Sequence, residues 1–140
     1  MRKATLFLVA LLAVSALPIL RAQTLTVLYS FSGGTDGANP NARLLRDKAD
    51  NLYGTTEFGG CLRCALGGLG TVFKLDTTGT EIVLHSFSVA DGTGPLAGLV
   101  RDLKGNLYGT ASSGAFGYGT VFKLTPSGTY DVLLGSENPG

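Results

Sequence analysis

Leu52-Tyr53-Gly54-Thr55 followed by Gly70-Thr71-Val72-Phe73-Lys74-Leu75 is written again as Leu107-Tyr108-Gly109-Thr110 and Gly119-Thr120-Val121-Phe122-Lys123-Leu124. Upstream, Val27-Leu28-Tyr29-Ser30-Phe31-Ser32 returns as Val83-Leu84-His85-Ser86-Phe87-Ser88. Text repeated at intervals of 49 to 56 residues builds one supersecondary unit that stacks on its neighbours, so the repeat decides the architecture.

Each copy divides into four runs. Thr24–Phe31 matches Thr80–Phe87, and Ala42–Arg46 matches Ala97–Arg101. Asn51–Thr55 matches Asn106–Thr110, and Gly70–Leu75 matches Gly119–Leu124. The runs are short and rich in Val, Leu, Phe and Tyr, and glycine-containing turns bound them, which is the signature of strands. Asp36-Gly37 and Asp91-Gly92 suit positions of positive φ, each ahead of a proline (Pro40, Pro95). Lys104-Gly105 falls where a two-residue hairpin loop belongs, with Ala49-Asp50 as its counterpart. Thr77-Thr78-Gly79 and Pro126-Ser127-Gly128 close each fourth run onto the first run of the next copy. After residue 22 no stretch sustains apolar residues at helical spacing. The expectation is an all-β, propeller-like tandem of four-stranded antiparallel repeats.

The units read as 23–79 and 80–128, with a truncated start of a third at 129–140. A ring takes four to eight such units. The reading is therefore a fragment of a longer array, a truncated paralogue, or a small open pair of sheets. Open edges invite pairing with other chains, so self-association is expected.

The first 22 residues stand apart. Arg2-Lys3 precedes an apolar run from Leu6 to Leu17, which Pro18 ends, and Ala22 sits where cleavage is expected. Roughly 20 apolar residues are needed to span a bilayer, so this reads as a signal helix of a secreted or periplasmic protein, with an uncleaved anchor as the alternative. Three of the 11 basic residues and none of the 10 acidic ones lie there, so the remainder has eight against ten and a net charge of −2. Its basic residues are scattered. Neither nucleic acid nor, after cleavage, a membrane is an expected partner.

The string running from Leu52-Tyr53-Gly54-Thr55 through Gly70–Leu75 and Val83–Phe87 to Asn106–Thr110 resembles the tandem repeat of the choice-of-anchor GloVer-repeat proteins. The resemblance covers residues 24–134. Such proteins are secreted and bacterial, and carry the repeat in arrays ahead of varied C-terminal anchoring signals. It implies a propeller-like extracellular repeat protein with no established activity.

Repetition also sorts the candidate functional residues. Asp36 with Asp91, Asp47 with Asp102 and Tyr53 with Tyr108 recur in both copies, which points to turn capping rather than to single-site chemistry. Calcium held by Asp36 and Asp91 is the competing reading. His85, the one histidine, aligns with Tyr29 and Leu134, so it reads as a packing position. Cys61 and Cys64 are not repeated. They sit in Gly59–Gly70, 12 residues long, where the second copy has the six of Gly114–Gly119. A local disulfide is the natural reading in an exported protein. A redox pair, a zinc site, free thiols and interchain bonding stay open beside it, although redox chemistry wants a helix N-terminus and structural zinc about four ligands. Glu57, Phe58 and Arg63 lie on or beside the same loop and are candidate ligand contacts.

No nucleophile elbow or phosphate loop is present. The chain therefore reads as a non-catalytic extracellular interaction module with no cofactor and no metal. The alternatives are a carbohydrate-active enzyme using paired carboxylates, for which Glu57 and Glu81 are the glutamates within the repeat region, and a degenerate repeat fragment.

Overall fold

The computed structural model describes residues 23–61, 67–114 and 117–135. The expected signal helix lies outside them. Those residues are all-β, with no α-helix. Eight strands run in chain order: β1 Leu45–Arg46, β2 Leu52–Thr56, β3 Thr71–Leu75, β4 Glu81–Ser86, β5 Val100–Arg101, β6 Leu107–Ala111, β7 Thr120–Leu124 and β8 Tyr130–Gly135. They form two antiparallel sheets, β1-β2-β3-β4 and β5-β6-β7-β8.

The repeated motif is a pairing code. Gly54 of β2 lies opposite Phe73 of β3, and Gly109 of β6 opposite Phe122 of β7. The aromatic ring covers the glycine: a Cβ on Gly54 would stand 2.7 Å from Phe73 Cζ, and one on Gly109 2.5 Å from Phe122 Cζ. Glycine in a strand usually marks such a close approach. Both β3–β4 and β7–β8 carry a bulge at the step from the preceding Val to that Phe, where Leu84 and Leu133 are the extra residues, which adds local twist.

The aspartates close the turns. Asp47 accepts hydrogen bonds from the N–H groups of Ala49 and Asn51, the Asn51 amide and the Tyr53 hydroxyl. Asp102 repeats this with Lys104, Asn106 and Tyr108. Asp76 holds the β3–β4 hairpin by accepting from Thr78 and Thr80. Thr125 Oγ1 takes that role between β7 and β8, accepting from Thr129 N–H. At the matched turn position Gly105 has φ +89°, whereas Asp50 holds φ +66°, a conformation that L-residues other than Asn and Asp rarely adopt.

The sheets divide the chain differently from the sequence alignment. Glu81–Ser86 heads the second copy of the text yet is the fourth strand of the first sheet. Tyr130–Gly135, read as the truncated start of a third unit, completes the second sheet. The reason is the hairpin: a tight turn after β3 or β7 returns the chain onto the strand it has just left. The same logic leaves Thr24–Phe31, expected as a strand, without strand pairing. No strand precedes it among the described residues for it to fold back on.

One face of the first sheet packs on the opposite face of the second. Tyr53 and Val72 of the first sheet form a single core with Leu107, Ala111, Phe122 and Leu124 of the second. Leu99 and Phe87 join that core from the connecting chain, and Leu45, Leu84 and Tyr130 line its margin. Phe87 meets Phe122 edge-on with ring centres 5.3 Å apart. Arg101 lies over the Tyr53 ring at 5.7 Å, and Thr55 Oγ1 donates to the Ala97 carbonyl.

Candidate functional site

Strands alternate direction, so the loops fall at two ends. The end opposite the Asp47 and Asp102 turns carries the β2–β3 loop, the chain from Ser88 to Pro95, and the β6–β7 loop. Ala38 bridges Phe58 in the first repeat and Thr93 bridges Ser113 in the second. The loops of the two repeats are also tied to each other, Gly94 N–H donating to the Leu69 carbonyl at 3.0 Å, and within the first-repeat loop Gly59 bridges Leu69. Between them lies a cleft of about 250 Å³, lined by Glu57, Phe58, Gly68, Leu69, Thr93, Gly94 and Ser112.

Glu57 and Phe58 thus enter one site. Phe58 is 45 % exposed, a bare ring at the cleft wall. Glu57 Oε2 accepts from the Asn41 side chain at 3.1 Å. Arg63 and Cys64 lie outside the described residues. Cys61 is bonded in a disulfide. Thr93, Gly94 and Ser112 come from the second repeat, and sequence reasoning missed them. The signal that finds them is topological: their loops follow the same strand ends as Glu57.

Glu81 is elsewhere. It pairs with Leu75 at the far end of β3, whereas Glu57 follows Thr56, which pairs with Thr71 at the near end. Burial, followed by the negative charge of Asp36, raises the Glu81 carboxyl above its ordinary range, and one of its oxygens is buried without a hydrogen-bond partner among the described residues. The two glutamates do not share the cleft, whose described lining carries the Glu57 carboxylate alone.

The second polar cluster surrounds His85. Its ring stacks on Tyr130 with centres 4.0 Å apart and meets Phe87 edge-on. Nε2 stands 3.3 Å from Asp91 Oδ2, and among the described residues it makes no close hydrogen bond. Burial lowers the His85 pKa, and the Asp91 charge only partly offsets it. Ser88 Oγ donates to Asp91 at 2.9 Å rather than to His85, so no nucleophile–base pair is formed here. The first repeat builds the same corner from Tyr29, Asp36 and Ser32, with Tyr29 and Ser32 donating to the carboxylate. The packing reading of His85 and the capping reading of Asp36 and Asp91 both describe what these side chains do. Among the described residues no group of three or more His, Cys, Asp or Glu is placed to hold a metal ion.

The chain matches the family described as the Gloeobacter/Verrucomicrobia repeat over residues 18–136. No curated protein matches it. With most of its length matched, the chain belongs to that repeat family.

Proposed function

We propose that this Gloeobacter/Verrucomicrobia repeat protein is a secreted, non-catalytic interaction module, its two sheets acting as blades of a propeller-like stack. The loop end is where it would bind an extracellular ligand. The observation that carries this reading is the division of labour between repeated and unrepeated residues. The recurring aspartates and tyrosines are consumed in turn caps, whereas Glu57 and Phe58 are unique to one copy and line one cleft with Gly68 and Leu69 from the longer loop of that copy. Loops held on a rigid sheet scaffold are where specificity ordinarily resides. A Cys61–Cys64 disulfide would staple the insertion. The Arg2-Lys3 and Leu6–Leu17 segment supports export.

A cleft with one carboxylate, one exposed aromatic ring and several backbone polar groups suits a sugar, stacked on Phe58 and hydrogen-bonded by Glu57. The test is a glycan array probed with the purified chain, followed by titration of any binder against Phe58→Ala and Glu57→Gln. Binding that falls at least roughly tenfold in Phe58→Ala supports the site. Binding indifferent to both substitutions removes the cleft from the proposal, and release of sugar from a bound glycan overturns the non-catalytic reading.

A further inference from the structure

The two sheets carry matching residues on matching faces, but only one copy of each face is covered by another sheet within the chain; on the outer face of the first sheet Phe73 and Leu75, 4 % and 6 % exposed, are covered by residues 24–31 instead. Between the sheets, the first sheet offers Leu45, Tyr53, Thr55, Val72 and Leu84. The second covers them with Leu99, Leu107, Phe122 and Leu124, and with Phe87 from the connection. The repeat reproduces both halves of this contact at the two outer surfaces. On the outside of the second sheet stand Val100, Tyr108, Thr110, Val121 and Leu133, the counterparts of the first set. Val72 is fully buried, whereas Val100 is 65 % and neighbouring Leu134 69 % exposed. On the outside of the first sheet stand Leu44, Leu52, Phe73 and Leu75 with Phe31, the counterparts of the second set. They line a groove of about 420 Å³ whose further wall is Leu25–Tyr29. Phe31 meets Phe73 edge-on at 5.0 Å, as Phe87 meets Phe122. With Leu25–Tyr29 moved away, this surface is a socket for the kind of face that the second sheet exposes.

We propose that a second copy of this chain docks head to tail, its second sheet entering the groove over the first sheet of its neighbour. The contact reuses the packing already present between the two sheets. Its polar pairs follow from the repeat: Tyr108 beneath the neighbouring copy's Arg46, as Tyr53 lies beneath Arg101, and Thr110 donating to its Ala42 carbonyl, as Thr55 donates to Ala97. One segment must yield. In the internal contact the counterpart of Leu25–Tyr29 is β4, and in the intermolecular contact that place is held by β8. The five paired residues of β8 and the stacking of Tyr130 on Phe122 hold it. Residues 24–29 have no strand pairing and Leu25 is 93 % exposed, so this segment swings aside at the cost of the hydrogen bond from Tyr29 to Asp36, while Phe31 keeps its contact with Phe73. The contact is heterologous, so each copy keeps one free face and one free groove until a ring closes. It depends on the sheet faces and not on a ligand at the loop end, so failure of the glycan experiment leaves it standing.

Sedimentation velocity tests it. The purified chain should associate with rising concentration, while Val121→Arg on the exposed face and Leu44→Asp in the groove should each be monomeric. Mixing these two variants should restore a dimer and nothing larger, because one intact face then meets one intact groove. That restored dimer also shows that both variants are folded. Val27→Pro, which cannot donate a backbone hydrogen bond in a strand, should associate as the parent does. A parent chain that stays monomeric at about 1 mM, where even weak contacts form, would overturn the proposal. So would a variant mixture that stays monomeric, or association abolished by Val27→Pro, which would mean strand exchange at a sheet edge instead.

Discussion

Val72 and Val121 occupy the same place in the same sentence of sequence, on the same face of equivalent strands. Yet Val72 is sealed between the sheets and Val121 is partly open to solvent. Tyr53 and Tyr108 divide in the same way, and Thr55 donates to Ala97 across the contact while Thr110 is exposed. Local sequence writes which residues share a face. What that face meets depends on the next layer of the stack.

The sharpest break in the comparison should come from the two aromatic rings over glycine. Phe122→Ala opens a cavity in the sheet–sheet core and should cost about 3–5 kcal/mol in urea unfolding. Phe73→Ala lies beneath an unpaired segment that can collapse into the space, so it should cost clearly less. Equal costs would mean that residues 24–31 cover the first sheet as firmly as the first covers the second. Gly54→Ala and Gly109→Ala test what the repeats share. Each new Cβ would press on its Phe ring, and each should lose about 1–3 kcal/mol by overpacking, with the two values close together. Val72→Thr buries a hydroxyl where none is now accommodated and should cost about 1–3 kcal/mol. Val121→Thr in the monomer should cost clearly less, because at a half-buried site the added hydroxyl can reach water. A matching loss at both positions would contradict the asymmetry of the faces.

Acid provides the gentlest probe. Hydrogen bonds from the Asn51 side chain, and then from backbone N–H groups and Tyr53, hold the Asp47 carboxyl at about 2, against the opposing effect of burial. A carboxylate depressed in the folded state gives stability that is complete above the unfolded value of about 3.9 and lost as pH falls towards 2. Asp47→Asn should flatten that part of the curve. His85 is held neutral by burial, so the unfolded chain binds its proton first. Stability should therefore also fall as pH drops below about 6.5, the unfolded value for histidine, a fall that His85→Leu should remove. The first repeat, with Tyr29 in that position, has no such step.

Much of the fold was legible because its devices are local. Asp47 and Asp102 each cap a turn within four residues, and Gly54 and Gly109 each sit opposite a Phe reached through one loop. Grouping the strands was harder. The alignment put Thr80–Phe87 at the head of the second unit, because a repeat read from text has no natural starting point. The hairpin at Thr77–Gly79 fixes that start by returning β4 onto β3. The site was half legible: Glu57 and Phe58 stood out as unrepeated, but Thr93, Gly94 and Ser112 join them only through the crossing of loops from two repeats.

By itself, the sequence determined an all-β repeat, its turns, its strand partners and the two faces of each sheet, since these follow from contacts a few residues apart and from alternation along a strand. Tertiary structure alone decided which face is core and which is surface. It made Val72 interior and left Val121 partly open, and it set the cleft at the junction of two repeats. Burial depends on what lies across a sheet, and identical faces carry no mark of whether a neighbour is there.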